Sequence, residues 1–263
     1  MTIDRRLGAE DVIRIASKLT VDDETFVIGG QAVNLWAWLY RERHPYLRQN
    51  GPFTSQDIDY FGSAAAADRF ADAVGGVVRR PDGNDMNTPQ TAIVQIDIGG
   101  RAITIDFLNA ILGVAHADLA AGVSLLALAA EMDGRSVEIE VPVLHPVLCL
   151  QSRIGNMLSP ATLRRDDFAW RQLHAAIAVI EVFLEDALDA DDRREVKRSL
   201  RALFAYLRSH PFGRVADREL GVDALDIVRR LAGDEQLDPR FRDHQLGGMI
   251  REIEKRGAAR DRD

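Results

Sequence analysis

Cysteine is nearly absent from this chain. Cys149 is the only one among 263 residues, which excludes an intramolecular disulfide and a structural zinc–thiolate cluster. It sits in the apolar run Val147-Leu148-Cys149-Leu150, where a thiol behaves as a small buried hydrophobe. Long hydrophobic runs are missing as well: no stretch of about 20 uncharged apolar residues suits a membrane span. The N-terminus, Met1-Thr2-Ile3-Asp4-Arg5-Arg6, leads into no apolar segment of the secretory kind. These absences predict a cytoplasmic protein with no membrane association. Positive charge is also short. The formal net charge of −8 argues against broad, sequence-independent binding of nucleic acid through a basic surface and leaves room only for a local basic groove. The six histidines, at 44, 116, 145, 174, 210 and 244, form no close pair at metal-ligand spacing. There is no internal repeat and no low-complexity segment.

What is present is material for a core. A content of 46% hydrophobic and 28% charged residues is ordinary for a globular protein, and the length fits one large domain or two modest ones. The first half alternates between helical and strand-like segments. Val12, Ile13, Ile15, Ala16 and Leu19 make an amphipathic helix over 9–19, and Asp22-Asp23 turn the chain into the short strand Thr25-Phe26-Val27-Ile28. Gly29-Gly30 end that strand, and a helix follows over 31–43 with Ala32, Leu35, Trp36 and Leu39 on one side. A loop with Pro45, Gly51 and Pro52 leads into a strand at Asp57–Phe61, then a helix at 64–74. Two strands, 91–97 and 101–108, flank Gly99-Gly100 as a tight hairpin, and a helix near 117–131 and a strand at 136–143 complete this half.

Near Pro142 to Pro146 the pattern changes to helix. Trp170, Leu173, Ile177, Ile180 and Leu184 recur at spacings of three and four, as do Val196, Leu200, Leu203, Phe204 and Leu207, with a polar break at Asp189-Ala190-Asp191-Asp192. The expectation is an α/β (α+β) domain over 1–143, a mixed sheet with flanking helices, followed by an all-helical domain over 144–254 and a charged, disordered tail over 255–263.

The chemistry concentrates in the first half. Asp57 and Asp59 are one residue apart, so on a strand both carboxylates point to one face. On the strand at 101–108, Ile103, Ile105 and Phe107 face one way while Thr104, Asp106 and Leu108 face the other. A carboxylate in so apolar a strand is costly to bury without a cation or hydrogen-bond partners. Three such aspartates suffice for Mg²⁺, or Mn²⁺, which binds through few carboxylates together with phosphate oxygens and water. Metal so held can position a triphosphate, activate an incoming hydroxyl and stabilise the leaving oxygens. Gly29 and Gly30 fit the complementary task, because backbone without side chains approaches phosphate closely and the following helix offers unsatisfied N–H donors. Each motif alone is weak, since Gly-Gly pairs are common in turns and most Asp-x-Asp pairs are solvated. Their order, strand–Gly-Gly–helix–strand–Asp-x-Asp–strand–Asp, is more specific.

Gly29-Gly30-Gln31-Ala32, the block Thr54-Ser55-Gln56-Asp57-Ile58-Asp59 and Asp106 resemble the active-site pattern of the polymerase-β-like nucleotidyltransferase superfamily, in the version of its AbiEii/AbiGii toxin branch. The match covers about residues 25–108. The resemblance implies a nucleotidyltransferase-like sheet domain, with Asp57, Asp59 and Asp106 holding metal, Asp106 assisting the metal or acting as base, and Gly29 and Gly30 at the triphosphate. Ser55, with Thr54, either hydrogen-bonds the nucleotide's phosphate or forms a local turn. The resemblance also implies a nucleoside triphosphate as substrate, tRNA as one acceptor, and a cognate antitoxin as partner, as in toxin–antitoxin and phage-defence systems. The acidic balance leaves a protein or small-molecule acceptor open. An aminoglycoside-type antibiotic transferase would instead need an acidic acceptor cleft.

The chain departs from that pattern in two places. The segment between Gly30 and Asp57 is long and carries Arg41, Arg43, His44 and Arg48. Toxins of the branch carry a lysine in the first helix of the C-terminal half, where Leu148-Cys149-Leu150-Gln151-Ser152-Arg153-Ile154 has Arg153 instead. An arginine grips phosphate but is a poor proton donor or acceptor. Arg164-Arg165-Asp166-Asp167 resembles the branch's basic-then-acidic block; Asp167 either joins the nucleotide site or stabilises a helix start. The absent lysine keeps a catalytically silent nucleotide-binding or regulatory protein on the same fold in play. Trp36 reads as core, and Trp38 as either a stacking platform or a packing residue. His145 reads as a packing residue near the junction, and Arg79-Arg80 as a solvated pair.

Overall fold

The computed structural model describes residues 7–19, 24–55, 57–81, 88–98, 100–119, 122–132 and 135–260. Met1–Arg6, the Asp22-Asp23 turn, Gln56, Gly99 and residues 261–263, which figure in the expectations above, lie outside the described residues. In chain order the first part comprises α1 (Ala9–Ala16), β1 (Phe26–Ile28), α2 (Gly29–Leu39), α3 (Pro45–Asn50), β2 (Ile58–Phe61), α4 (Ala64–Val74) and β3 (Val77–Arg79). Next come β4 (Gln90–Ile98), β5 (Arg101–Leu108), α5 (His116–Leu119), β6 (Val123–Met132), β7 (Arg135–Leu144) and α6 (Pro146–Leu158). The strands form one mixed seven-stranded sheet in the order β3-β4-β5-β2-β1-β7-β6. β2–β5 and β1–β7 run parallel and the other neighbours antiparallel. The remainder of the chain is largely helical. The chain divides into two compact units, Met1–Ser152 and Arg153–Asp263, so the division falls within α6, later than the expected boundary near residue 143.

Period-two burial fixes the centre of the sheet. Ile58 and Tyr60 of β2 are buried and alternate with half-exposed Asp59 and Phe61. In β5, Ile103, Ile105 and Phe107 are buried while Thr104, Asp106 and Leu108 are not, the alternation expected from the sequence. Tyr60 meets Phe107 and the α4 residue Phe70 edge-on, with ring centroids 5.5 and 5.4 Å apart. This aromatic cluster locks α4 onto one face and leaves the carboxylates of Asp59 and Asp106 to the other. α4 is held in place by its caps: Ser63 accepts from the Ala66 amide at 3.2 Å, and Gly75 closes the helix at φ +68°.

The structure corrects several expectations. Residues 123–132 are a strand, not part of a helix near 117–131, of which only α5 is helical. Leu and Ala dominate the segment and favour helix locally, but β6 pairs with β7 along its whole length, from Val123↔Leu144 to Met132↔Arg135. Its alternation is plain in burial: Leu126 and Leu128 are buried while Leu125, Ala127 and Ala129 are exposed. α1 stops at Ala16, and α2 spans 29–39 rather than 31–43. The expected loop around Pro45 contains α3, started by Pro45 and capped by His44, whose Nδ1 accepts from the Tyr46 amide at 3.1 Å. β3, an edge strand ending at Arg79, was not expected, and Arg80 beyond it pairs with Asp68.

The second unit contains α7 (Asp167–Asp189), α8 (Arg193–Ser209), α9 (Ala216–Leu220), α10 (Leu225–Leu231), a π-helical turn at Phe241–Leu246 and α11 (Gly247–Arg260). The polar break between the first two is real, and Asp192 caps α8 by accepting from the Glu195 amide at 3.0 Å. Leu173, Ile180 and Leu184 of α7 and Val196, Leu200 and Leu203 of α8 are buried as their spacing requires, while Trp170 and Ile177 are half-buried. The tail from Lys255 is not disordered as expected: α11 continues to Arg260. Among the described residues no helix is long and apolar enough to cross a membrane.

Candidate functional site

β1 leaves the sheet after Ile28, and the chain enters α2 through Gly29 with φ +66°, a left-handed conformation that glycine adopts without strain. Space imposes the same choice, for a Cβ on Gly29 would overlap Oδ2 of Asp59 and lie 3.1 Å from its Cγ. The close approach follows from register. Ile28 is the β1 residue opposite Asp59, so the residue after it turns its bare Cα toward that carboxylate. On the other side of β2, Asp59 stands directly opposite Asp106 of β5. Register partners share a face of the sheet, so two carboxylates stand side by side, flanked by glycine backbone. Gly29 and Gly30 are both buried and form the first turn of α2 rather than a turn ahead of it.

Asp57 does not share the strand. β2 begins at Ile58, and Asp57 precedes it as an exposed residue. Pairing with β5 begins only at Ile58, and β1 has already turned into α2 at that level. Instead the Gln31 Nε2 donates to the Asp57 backbone carbonyl at 3.2 Å, and the Asn34 Nδ2 donates to Gln31 Oε1 at 2.9 Å. Gln31 and Asn34 are 0% and 1% exposed, so this amide chain is an interior structure that fixes where Asp57 leaves α2.

Asp106 is half-buried, and its Oδ1 accepts from Gln90 Nε2 at 2.7 Å. Burial first, and then the negative charge of Asp57, hold its carboxyl above the usual carboxylate range; the Gln90 hydrogen bond pulls the other way. The three aspartates are not a preformed cage: among the described residues no group of three or more His, Cys, Asp or Glu is arranged to hold a metal ion. The donor set suits a hard cation that takes one or two carboxylates and draws its remaining oxygens from phosphate and water.

Comparison with known protein families, characterised proteins and solved structures finds no match to this chain.

The remaining expected residues are distributed as follows. Ser55 is half-buried, and its backbone bridges Leu7 through Leu7 N to Ser55 O at 2.7 Å and Ser55 N to Leu7 O at 3.3 Å. Arg153 lies half-buried in α6, as the first residue of the second unit. Asp167 opens α7 as an exposed residue, next to Asp166, whose side chain caps the helix from 2.8 Å. That position complements the helix dipole. His145 is a packing residue: it is buried, and its Nδ1 accepts from the Val147 amide at 3.2 Å at the start of α6. Cys149 is buried and donates to the Leu144 carbonyl at 3.3 Å, and the Trp36 indole donates to the same carbonyl at 2.9 Å. Gln31, Asn34 and Gln90 were missed by the sequence reading. Gln31 and Asn34 carried a signal, as amides three apart in an otherwise apolar helix. Gln90 carried none, because only the β4–β5 pairing brings it to Asp106.

Proposed function

We propose that the chain is a divalent-metal-dependent nucleotidyltransferase that carries a nucleoside monophosphate from a nucleoside triphosphate to an acceptor hydroxyl. The supporting observation is the side-by-side pair Asp59 and Asp106, closed on one flank by a glycine at which any Cβ would overlap the Asp59 carboxylate. Asp59 and Asp57 hold the cation. With Mg²⁺ or Mn²⁺ held there, the site would supply charge neutralisation for the triphosphate oxygens and the leaving pyrophosphate. The start of α2 at Gly29 and Gly30 would offer its unsatisfied N–H donors to the phosphates. Asp106 keeps one oxygen on Gln90, and a carboxyl raised above its usual range suits a proton acceptor. Its other oxygen takes the acceptor's proton as the hydroxyl oxygen bonds to the α-phosphorus and the bond to the α,β-bridging oxygen breaks. An RNA acceptor such as tRNA, and an antitoxin that blocks the site, extend this reading along the toxin resemblance.

A second reading, nucleotide binding without turnover in a regulatory protein, is favoured by the hydrogen bond that already occupies Asp106 and by the incomplete cage. Incubation with labelled triphosphates and total cell RNA, protein and small molecules separates the two. The transferase reading expects a metal-dependent labelled product that EDTA abolishes and that folded Asp57→Ala and Asp59→Ala proteins fail to make. Full activity in either variant overturns the metal role; triphosphate binding without product in any pool selects the second reading.

A further inference from the structure

A cleft of about 310 Å³ lies in the first unit between α2, α3 and the segment that follows α3. Its chemistry is specific. Leu47 and Phe53 are 1% and 7% exposed and give it an apolar floor. Trp38 is a half-buried lining residue, and the Arg41 guanidinium lies 5.1 Å from its ring centroid. Arg48 is exposed at the rim and has no side-chain hydrogen bond or ion pair among the described residues. The buried amide Asn34 lines the same cleft.

Asn34 connects this cleft to the carboxylates. It donates to Gln31, and Gln31 donates to the Asp57 carbonyl. Gln31, Asn34 and Trp38 follow one another at spacings of three and four along α2, so they form a single stripe on the helix, and Arg41 lies just past its end. The stripe begins beside Asp57 and ends in the cleft. From Gly30 to Trp38 the helix rises about 12 Å, a separation that a nucleotide bridges between its phosphates and its base.

We propose that this cleft binds a nucleobase. An indole and two guanidinium groups are the flat, electron-rich and cationic surfaces on which bases stack. The proposal rests on the nucleotide reading above and adds to it the part of the molecule that chooses the base. The base belongs either to the triphosphate or to the 3′ end of an RNA acceptor.

The test uses the full chain, intrinsic tryptophan fluorescence and calorimetry. The probes are the four nucleoside triphosphates, inorganic tripolyphosphate with Mg²⁺, and a ribotrinucleotide with a free 3′ hydroxyl. A triphosphate or the trinucleotide quenches the wild-type fluorescence saturably, and Trp38→Phe removes the quench while largely keeping affinity. Trp38→Ala and Arg48→Gln, each with an unchanged melting temperature, weaken binding of that probe roughly tenfold. Tripolyphosphate, which has no base, binds all variants alike and quenches none. Loss confined to the triphosphates assigns the base to the donor; loss confined to the trinucleotide assigns it to the acceptor. A quench that survives Trp38→Phe, or affinity for every base-bearing probe within twofold of wild type in both Trp38→Ala and Arg48→Gln, overturns the proposal. Failure of tripolyphosphate to bind the wild type overturns the carboxylate reading instead and leaves the cleft result standing.

Discussion

The two units of this chain use charge in opposite ways. In the second unit charged side chains pair with one another across exposed helix surfaces. Arg229 meets Asp223, Asp226 and Glu254, Arg230 meets Glu181 and Asp226, and Glu252 receives both Arg208 and Arg256. In the first unit, beside exposed pairs such as Arg80 with Asp68, a polar cluster gathers inward at one end of two parallel strands. Asp106 rests against a neutral amide and beside a like charge, and buried Gln31 and Asn34 tie down the backbone next to them. Exposed ion pairs satisfy themselves and contribute little each. A half-buried carboxylate beside a like charge, held above its usual range, is an arrangement that folding alone does not favour.

Activity gives the largest expected separation between the units. Asp59→Ala lowers nucleotide incorporation by at least about a hundredfold, whereas Glu254→Ala, which removes one Arg229 partner, leaves it within twofold. Labelled-triphosphate assays on both proteins measure this, and equal losses would erase the contrast. Next come the packing variants of the long hairpin. Leu128→Ala empties a buried site in β6 and destabilises by about 2–5 kcal/mol, while Leu125→Ala, on the 52% exposed face, stays within about 0.5 kcal/mol. Urea titration of the pair reads the strand faces directly, since residues three apart lie on opposite faces of a strand but on one face of a helix.

Gly29→Ala strains a left-handed position and forces Asp59 aside. It costs about 1–3 kcal/mol by thermal denaturation and weakens Mg²⁺-dependent tripolyphosphate binding in calorimetry. Arg229→Ala removes three partners yet costs only about 0.2–1 kcal/mol, and the difference from wild type shrinks in 1 M salt.

The smallest effect belongs to His210, in the second unit, whose ring stacks on Tyr206 and whose Nδ1 accepts from the Phe212 amide at 3.2 Å. Burial holds its pKa below the ordinary 6.5. The folded state therefore binds fewer protons than the unfolded state in this window, and stability is greatest above about 6.5, declining as pH falls through that value and levelling below the folded pKa. His210→Phe removes this part of the pH dependence of the melting temperature, and an unchanged profile would show that the ring titrates alike in both states.

Particular residues show how much of this was legible beforehand. The faces of β5 were, because Ile103, Ile105 and Phe107 alternate with Thr104 and Asp106 within a single strand. So were α4 and the break before α8, each punctuated by a capping residue. The strand β6 was not, since its Leu-Ala run satisfies helix propensity and only the partner strand β7 overrides it. Asp57 was placed on a strand by its spacing from Asp59, but β2 starts only at Ile58, where its pairing with β5 begins.

By itself the sequence determined the carboxylates, the glycines and the alternation that turns Asp59 and Asp106 away from the aromatic core, because each is set by neighbours a few residues distant. Only the tertiary structure decided that Asp59 stands opposite Asp106, that Gly29 closes on Asp59, that Gln90 holds Asp106, and that Asn34 joins the cleft to Asp57. Those contacts join residues far apart in the chain. Their geometry follows from strand register, and register is chosen by the burial of Tyr60, Phe70 and Phe107 together rather than by any local preference.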